Sequence, residues 1–564
     1  MQKQLIECVP NFSEGLNMGI IDQITAQIKS VDGVHLLDVD PGKATNRTVV
    51  TFVGEPEAVI NAAFLAIKKA SKIIDMSKHK GEHPRMGATD VCPLIPVANI
   101  SMADTAQYAQ KLAKRVGEEL QLPIYLYEEA QANKKRSNLS VIRAGEYEGF
   151  ATKITQDDWK PDFGPAVFNP KTGVTAIGAR EFLIAYNINL NTKSTRIANR
   201  IAFDVREAGR VKRNGHPVSG DIEMDANGEA VRIPGKLKQV KAIGWFIEEY
   251  NRAQISMNLT NYKITPLHVA FDATCDSAAE RGARVTGSEL VGLIPLQAML
   301  DAGKYFLEKQ ELSSGVSEAA LIDSAIHSLG LSEISPFDPQ KKIIEYQLQS
   351  IDDKKLASMS LEGFVDETAS DSPAPGGGSI AAAAAAMGVA LGTMVANLSA
   401  NKFGWENKVD YYSQWAQKGQ KIKEDLLRLV DEDTRAFNAI MATFAMPKDS
   451  EQDKAARNAA LESASKNAME IPYKTMQAAA NALPLLDEMC QHGNPNSLSD
   501  VGVGALCIKT GVHGAYLNVL INAGGIKDKA WANNLVAQAS DLLKTTINSC
   551  DSIVQTVEEK IKAS

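Results

Sequence analysis

The sequence is poor in cysteine, and its cysteines follow no recognisable spacing. Six cysteines are scattered over 564 residues, without a Cys-x-x-Cys pair. This excludes a zinc ribbon of the usual spacing and argues against a disulfide framework. The N-terminal residues also lack an apolar run of the length of a secretory signal. We therefore expect reduced thiols and a cytoplasmic protein.

An excess of positive charge is missing as well. The chain has 60 Lys and Arg against 68 Asp and Glu, which gives a formal net charge of -8. Binding to nucleic acid needs concentrated Lys and Arg to neutralise phosphates. We therefore expect no nucleic-acid partner.

Long apolar runs are rare, and the candidate at residues 379–400 is weakly apolar. The segment "SIAAAAAAMGVALGTMVANLSA" is uncharged and long enough to cross a bilayer. It consists mostly of Ala and Gly, however, and carries no Trp or Tyr at its ends. It predicts a buried helix in a helical bundle, and we expect no membrane partner.

The length indicates roughly three or four units of ordinary domain size. In the N-terminal half, β-branched runs alternate with amphipathic segments, and this alternation is typical of sheets layered with helices. Near the C-terminus helical runs dominate, and we expect Pro472 to interrupt one of them near Ile471. The predicted fold class is multidomain, with two tandem α/β subdomains (split β-α-β, sheet plus helices) followed by an all-α helical domain. The expected boundaries are 1–180, 181–330, a linker with little core at 331–350, and 351–564.

Two histidines lie four residues apart in "HKGEHPRMG", the second being His83. His-x-x-Glu-His is a zinc-binding spacing when it lies on a helix, where both imidazoles share a face. Gly81 weakens such a helix, and Pro84 favours an extended backbone at His83. We therefore expect no zinc site here. A structural loop histidine and a rigidly held proton-transfer histidine both remain open.

A triple glycine, Gly376 to Gly378, precedes the small-residue helix. It matches the Gly-x-Gly-x-x-Ala pattern of dinucleotide sites, but no strand precedes it, so that fold is not expected. A helix that begins there leaves unpaired N–H groups suited to an anion or a carbonyl. A tight entry turn without a ligand remains equally open.

One helical segment carries a carboxylate inside its apolar stripe. In "EDLLRLVDEDTRAFNAI", Asp433 lies three residues after Val430 and four before Phe437, whereas Asp431 and Glu432 fall toward solvent. A buried carboxylate is costly unless it is paired. Pairing, capping and catalysis are all open for Asp433.

A further helix carries small and polar residues at helical spacing, among them Asp500, Gly504, Gly511 and Asn518. Small residues at this spacing suit either close helix packing or a flat ligand.

Several longer motifs resemble known families. "ECVPNFSEG", "DVDPGKATNRTVVTFVG", "HKGEHPRMGATDVCPLIPV", "PDFGP", "GAREFLIAYNINL" and "VKAIGW" resemble glutamate formimidoyltransferase. "DSPAPGGGSIAAAAAAMG", "LVDEDTRAFNAIM" and "GNPNSLSDVGVGA" resemble formimidoyltetrahydrofolate cyclodeaminase. Over nearly its whole length the sequence is similar to the fused, bifunctional formimidoyltransferase-cyclodeaminase family. Residues 208–238 are longer than this family leads us to expect, and we expect a hairpin insertion there.

The resemblance implies an enzyme of histidine degradation and one-carbon folate metabolism. The α/β half would move a formimidoyl group from N-formimidoyl-L-glutamate to N5 of tetrahydrofolate. The helical half would then close the product to 5,10-methenyltetrahydrofolate and release ammonia. The alternative is a formimidoyltransferase only, with the helical domain serving assembly or folate binding.

The resemblance also implies catalytic residues. The transferase histidine corresponds to His83. The cyclodeaminase aspartate lies in Val-Asp-Glu-Asp, which leaves Asp433, favoured by the apolar stripe, and Asp431 as second choice. Apart from the resemblance, Asp40 lies at the end of the predicted strand "VHLLDVD" and is expected to orient or charge-balance the His83 imidazole, as a carboxylate commonly does.

Binding residues are expected in two loops and at two arginines. Arg47 or Arg85 would hold a substrate carboxylate in a bidentate manner. The expected folate-binding residues are Gly164, Pro165, Ala166, Val167, Phe168, Asn169, Pro170, Lys171, Thr172, Gly173, Gly376, Gly377 and Gly378.

The partners implied are small molecules. Tetrahydrofolate is expected as co-substrate, polyglutamylated forms included, and the proton transfers need no metal, nicotinamide or flavin. We also expect a homo-oligomer.

Overall fold

The computed structural model describes residues 4–43, 45–81, 84–216, 219–349 and 356–563. Contacts between residues divide the chain into two compact units. The first comprises Met1–Asp301 with Ile326–Ile351, and the second comprises Ala302–Ala325 with Asp352–Ser564. The first unit holds two β-sheets, and the second is helical.

The N-terminal sheet of the first unit is mixed. Its strands are β1 (Leu5–Cys8), β2 (Asn11–Phe12), β3 (Val34–Gly42), β4 (Arg47–Gly54), β5 (Thr89–Ala98), β6 (Ile124–Glu128) and β7 (Thr175–Ala179). They lie in the order β3, β4, then β1 and β2 in one position, β5, β7 and β6. The β5–β7 and β7–β6 pairs are parallel, and the others are antiparallel.

Helices cover both faces of this sheet. They are α1 (Met18–Lys29), α2 (Pro56–Ile73), α3 (Met102–Leu120), α4 (Leu139–Arg143) and α5 (Glu146–Lys153). Because side chains alternate along a strand, the two faces build separate cores. Leu126 joins the core beneath α2 and α3, whereas Tyr125 packs edge-on against Phe150 with ring centroids 5.6 Å apart. Both sheet faces are therefore apolar.

A second sheet of the same unit is antiparallel. It is formed by β8 (Ile184–Leu190), β13 (Val240–Ile247), β14 (Arg252–Leu259) and β15 (Val285–Val291), in the order β13, β14, β8, β15. The helices that follow its strands are α6 (Thr195–Val205), α7 (Leu267–Ala279), α8 (Leu296–Lys309) and α9 (Glu318–Leu329). The two sheets with their helices are the tandem α/β arrangement that the sequence predicts.

The segment at 208–238 forms two short antiparallel ladders. Their strands are β9 (Arg210–Val211), β10 (Arg213–Asn214), β11 (Asp221–Ile222) and β12 (Arg232–Ile233), with β9 paired to β12 and β10 to β11. The segment therefore contains the expected hairpin.

The expectation of a linker with little core at 331–350 is wrong for its described residues. This stretch contains the helices α10 (Pro339–Lys342) and α11 (Ile344–Gln349). Leu331 and Ile343 are buried in the first unit, where Ile343 forms a bridge with Ile294. Polar residues and prolines dominate the stretch, but its few aliphatic side chains are enough to dock it.

Residues 302–325 pack with the helical unit, although the sequence places the boundary after residue 330. Asn397 Nδ2 donates to the Gly315 carbonyl over 2.8 Å, and the Ser314 amide donates to Ser413 Oγ over 3.1 Å. A side chain at Gly315 would overlap Ala416. These contacts join residues far apart in sequence, so local patterns do not reveal them.

Within its described residues the second unit contains helices and no strand. Besides the parts of α8 and α9 that lie within residues 302–325, they are α12 (Leu361–Thr368), α13 (Gly377–Ala400), α14 (Val409–Phe444), α15 (Glu451–Ala480), α16 (Leu483–His492), α17 (Leu498–Ala523) and α18 (Lys529–Ala563). Helix α13 is long and apolar enough to cross a membrane by length and composition, yet 61% of its most apolar window is buried inside the protein. Its glycines and alanines let α17 approach closely, for example where Gly504 meets Gly388.

The expected interruption at Pro472 does not occur, because α15 continues through it to Ala480. Proline lacks the N–H that would bond to the carbonyl four residues earlier, that of Ala468. Asn522 of α17 supplies the missing donor, with its Nδ2 2.7 Å from the Ala468 oxygen. A side chain from a neighbouring helix thus satisfies the carbonyl that Pro472 leaves free.

Candidate functional site

The candidate transferase site includes two residues that the structure does not describe. His83 and its neighbour Glu82 lie outside the described residues. The backbone that follows them is held against the loop 164–173: the Ala88 amide donates to the Thr172 carbonyl over 2.8 Å, and the Val174 amide to the Met86 carbonyl over 3.0 Å. The loop assigned to folate and the segment after His83 are therefore neighbours.

Most of the loop 164–173 is open to solvent. Val167 is 68% exposed, whereas Thr172 is buried. Tyr147 anchors the middle of the loop, since its ring lies 5.3 Å from that of Phe168 and its hydroxyl donates to the Pro170 carbonyl over 2.5 Å. The loop has a fixed base and an accessible surface, as a ligand-binding loop requires.

Arg47 belongs to a buried charge cluster. Its Nη1 lies 2.7 Å from Oδ2 of Asp90, and Nη2 of Arg143 reaches the same oxygen over 2.7 Å. Asp90 Oδ1 accepts the Met86 amide over 2.9 Å, and the Asp90 side chain is fully buried. Burial lowers the pKa of Arg47 to about 10 although Asp90 opposes the change, so the guanidinium stays charged near neutral pH. The cluster ties the candidate substrate arginine to the backbone after His83.

Arg85 is paired with carboxylates of helix α5. Its Nη1 and Nη2 contact both oxygens of Glu148 over 3.0 and 2.7 Å, and Nη1 also lies 3.3 Å from Glu146. The hydrogen bonds that Arg85 donates to Glu148 are the main cause of the raised pKa of Arg85. Both arginines are therefore already paired with carboxylates of the protein, and a substrate carboxylate would have to share either of them.

Asp40 lies on β3, where it faces Val49 of β4, and it is half-buried. Its charge contributes to the raised pKa of nearby Asp38, although burial of Asp38 is the larger cause. The proposed contact with the His83 imidazole involves a residue outside the described range, so it stays a prediction.

The candidate cyclodeaminase site lies where α13 begins beside α14. Ser379 Oγ lies 3.1 Å from Oδ2 of Asp433 and 3.0 Å from the Val430 carbonyl. Gly378 lies so close that any side chain at this position would overlap the Asp433 carboxylate. Gly377 faces the amide of Asn518 on α17. The triple glycine and the aspartate in the apolar stripe, 55 positions apart, are therefore parts of one site.

The environment of Asp433 favours a proton carrier. Burial raises the pKa of its carboxyl, and the hydrogen bonds from Ser379 partly offset this rise. The side chain is half-buried, so one side of it can be reached. A carboxyl with a raised pKa that is still accessible can accept and return a proton.

Asp431 does not lie on the solvent side as expected. It is half-buried, and its Oδ1 accepts the Ala357 amide over 3.4 Å. The segment that covers it precedes it by 74 positions, which the helical periodicity could not reveal. Asp431 is therefore partly engaged by backbone, whereas Asp433 faces the start of α13.

One further expectation about this helix bundle is wrong. Phe437 is 37% exposed rather than part of the buried stripe, because it lies one turn beyond the point where α13 begins. Asp500, another carboxylate of this bundle, lies 18 residues before Asn518 on α17, and this separation corresponds to about 27 Å of helix. Asp500 therefore lies far from Asp433.

Several functional candidates escaped the sequence analysis. Ser379 follows the triple glycine directly, and its position before a helix was the available signal. Asn518 was recognised only as a member of the small-residue helix. Asp90 and Arg143 gave no signal, because their partners are distant in sequence.

The part of the chain that the structure describes contains no cluster of three or more His, Cys, Asp or Glu suited to a metal ion. Glu82 and His83 are not among these residues.

Three family models match the chain in succession. "Formiminotransferase domain, N-terminal subdomain" matches residues 5–180, "Formiminotransferase domain" matches 185–349, and "Formiminotransferase-cyclodeaminase" matches 360–541. The formimidoyltransferase-cyclodeaminase of Dictyostelium discoideum is 44% identical over 562 residues, which cover 99% of each chain. The chain belongs to the formimidoyltransferase-cyclodeaminase family. The resemblance predicted from the sequence is thereby confirmed.

Relatives of the separate halves exist as well. Glutamate formimidoyltransferase of Streptococcus pyogenes is 39% identical over 308 residues, covering 55% of this chain and 95% of that protein. Methenyltetrahydrofolate cyclohydrolase of Methylorubrum extorquens is 33% identical over 202 residues, covering 36% of this chain and 97% of that protein. Like its full-length relatives, the chain is a bifunctional enzyme with transferase and cyclodeaminase activities.

Proposed function

We propose that the two activities use two separate proton-transfer groups, His83 in the α/β half and Asp433 in the helical half. The enzyme transfers the formimidoyl group from N-formimidoyl-L-glutamate to N5 of tetrahydrofolate, and it then cyclises the product to 5,10-methenyltetrahydrofolate with release of ammonia. The observation that carries the assignment in the helical half is the half-buried Asp433 carboxyl, fixed between Gly378 and Ser379.

In the transfer reaction, N5 of tetrahydrofolate attacks the formimidoyl carbon and must lose a proton. An imidazole has a pKa near neutrality and suits this task. The motif His-Pro-Arg-Met-Gly supports His83, and the folate loop lies against the backbone that follows it. Arg47 or Arg85 would hold a carboxylate of N-formimidoyl-L-glutamate, and Asp40 would orient the imidazole.

In the cyclisation, N10 attacks the formimidoyl carbon, and ammonia leaves from the same carbon. One proton is lost from N10, and the departing nitrogen must gain one. A single carboxyl can accept the first proton and donate the second. Asp433 suits this role because burial raises its pKa.

The cofactor expectations follow from the chemistry. The transferred carbon has the same oxidation level in the formimidoyl and methenyl groups, so no hydride moves and neither nicotinamide nor flavin is required. Tetrahydrofolate acts as co-substrate. We propose that both reactions proceed without a metal. Treatment with a chelator should therefore lower neither rate. If the chelator removed one metal ion per chain and the activity were lost with it, the proposal would be rejected.

A homo-oligomer is the second part of the proposal. Apolar side chains remain exposed on α13 and on its neighbour α17, and we call this set the apolar face: Ile380, Met394, Leu398, Val503, Leu506, Leu517, Leu520 and Ile521. Ile521 is 75% exposed and Leu517 57%. A patch of this kind is typical of a surface that binds another protein. A second copy of the chain supplies a matching apolar surface by symmetry.

The oligomer can be tested by mass. Leu517→Glu with Ile521→Glu should lower the molar mass measured by light scattering, whereas Lys544→Glu on α18 should not. An unchanged mass in the double variant would place the interface elsewhere.

The setting proposed for these reactions is the cytoplasm, within histidine degradation. Folate with one or several glutamyl residues is the proposed substrate. No nucleic acid or membrane takes part in either reaction.

The two-site assignment can be tested with the full chain. His83→Ala and Asp433→Asn should each lose one activity and keep the other, measured as transfer and as ammonia release from supplied 5-formimidoyltetrahydrofolate. Absence of ammonia release by the wild-type chain would favour the alternative, a transferase with a helical domain that serves assembly.

A further inference from the structure

An apolar groove runs along the helical unit beside the candidate cyclodeaminase site. It has a volume of about 280 Å³. Helices α13 and α14 form its floor, and the segment from Leu356 to Phe364 forms its opposite wall. Its lining is apolar except for one residue, Lys423.

The groove begins one helical turn from Asp433. Ser379 contacts both Asp433 and the Val430 carbonyl, and Val430 lines the groove. One turn further along α13, Ala383 lines it as well. The candidate carboxylate therefore lies just outside one end of the groove.

Lys423 lies at the opposite end. It precedes Asp433 by ten residues on α14, and this separation corresponds to about 15 Å along the helix. Its Nζ donates to Gln420 Oε1 over 2.5 Å, and the described residues place no carboxylate within ion-pair distance of it. Lys423 is half-buried, so an anion at this end would be only partly screened by water.

We propose that this groove binds the p-aminobenzoylglutamate arm of 5-formimidoyltetrahydrofolate, with the aromatic ring on Ala383 and Ala386 and a glutamyl carboxylate at Lys423. The inference rests on the proposed role of Asp433. N10 is bonded directly to the p-aminobenzoyl ring, so a carboxyl that takes a proton from N10 must have that ring beside it.

The order of apolar and charged residues along the groove matches the order of chemical groups along the p-aminobenzoylglutamate arm. Apolar side chains suit the ring, and a single cation lies where the ring is followed by carboxylates. Folate of any glutamate length carries an anion at this distance from N10. The groove is therefore predicted to bind the part of the substrate that does not react, which sets affinity rather than chemistry.

A second cleft on the other side of α14 does not offer this combination. It has a volume of about 400 Å³ and contains Asp425, Arg428, Glu432 and Lys474. Arg428 is paired with Asp425 and Glu432. An aromatic ring would have to displace hydrated charges there, and this cost favours the apolar groove.

The test compares two substrates on the full-length enzyme. The probes are 5-formimidoyltetrahydrofolate and 5-formimidoyltetrahydropteroate, which lacks the glutamate. In Lys423→Gln we expect the KM for the folate to rise about tenfold or more, because a charged hydrogen bond is lost, with little change in kcat. The KM for the pteroate should stay unchanged. Lys421→Gln, an exposed lysine of the same helix, is the matched control and should alter neither KM.

A second variant tests whether the p-aminobenzoyl ring lies in the groove. Ala390 is half-buried in the groove wall, and Ala390→Phe adds bulk into the groove. It should raise the KM for both probes by a similar factor. Because the substituted residues lie in the helical unit, transfer activity does not report on their folding. The far-UV circular dichroism and urea denaturation of each full-length variant, compared with those of the wild type, report whether the helical unit is folded.

Three outcomes would contradict the proposal that the groove binds the p-aminobenzoylglutamate arm. Lys423→Gln could raise both KM values equally, it could change neither, or it could change only the oligomer mass, in which case a second copy occupies the groove. Failure of the Asp433 role is a separate result. Asp433→Asn would then cyclise normally while Lys423→Gln still discriminates between the two probes.

Discussion

Gly378 and Asp433 are in such close contact that a Cβ at position 378 would overlap the Asp433 carboxyl, which would then have to move. The glycine belongs to the start of α13 and the aspartate to the middle of α14. The contact, together with the hydrogen bond from Ser379, fixes where the carboxyl lies relative to the first backbone N–H groups of α13. Gly378, the last glycine of the triplet, thus has a steric reason that the sequence alone left open.

Gly378→Ala should therefore abolish cyclisation without affecting transfer. The added methyl group overlaps the Asp433 carboxyl, and a catalytic group displaced by about 1 Å can lose a factor of about 10² in rate. The measurement is ammonia release from supplied 5-formimidoyltetrahydrofolate, with transfer measured beside it. Gly525→Ala, where a methyl group has room, is the control. Normal cyclisation by Gly378→Ala would show that this contact does not position the reacting group.

Ser379→Ala should change the pH dependence of cyclisation. Burial raises the pKa of Asp433, and the Ser379 hydroxyl opposes this by stabilising the carboxylate. Without the hydroxyl the pKa rises further. Because the attack by N10 needs the deprotonated carboxylate, activity falls as pH falls through this pKa, and the acidic limb of the kcat profile should move to higher pH. A limb that stays in place or moves to lower pH would contradict the assignment.

Asn522→Ala should lower the free energy of unfolding of the helical unit. It leaves the Ala468 carbonyl without the amide that replaces the N–H missing at Pro472. An unsatisfied buried carbonyl costs about 1–3 kcal/mol, measurable by urea denaturation. Pro472→Ala in the same background restores the helical donor and should recover most of the loss. If Asn522→Ala lowered the free energy of unfolding by the same amount with Pro and with Ala at position 472, this explanation would be rejected.

His83→Ala should lose transfer activity by about 10²–10⁴-fold and keep cyclisation, because a general base typically contributes this much. His79→Gln is the comparison. His79 Nε2 lies 2.8 Å from the Asn46 carbonyl, which indicates a structural role, so its loss should affect stability more than rate. Near-normal transfer by folded His83→Ala would remove it as the base.

The sequence predicted the order of sheets and helices well, because the hydrophobic periods differ clearly between the two parts of the chain. Strand β6, Ile124–Glu128, was not predicted, since it has only five residues and follows a long amphipathic helix closely. The apolar stripe indicated that Asp433 is not fully exposed, and the structure half-buries it against the start of α13. Its catalytic role stays a prediction.

What the sequence could not reveal depends on contacts between distant residues. Arg85 looked free for a substrate, but Glu148, 63 positions away, occupies it. The helical periodicity predicted an exposed Asp431, but the backbone amide of Ala357 donates to its carboxylate. Pro472 looked like a helix end because its compensation comes from Asn522. In each case the local pattern was read correctly, and a partner from another element changed the result.

The most direct test of the two-site account compares Asp433→Asn with Asp431→Asn. Each full-length variant is supplied with N-formimidoyl-L-glutamate and tetrahydrofolate, and methenyl absorbance and released ammonia are followed together. Asp433→Asn keeps the side-chain shape but cannot carry the proton, so it should accumulate 5-formimidoyltetrahydrofolate with methenyl formation reduced by about 10²–10⁴-fold. Asp431→Asn should retain most of the cyclisation rate. Full cyclisation by Asp433→Asn, with Asp431→Asn inactive, would contradict the account.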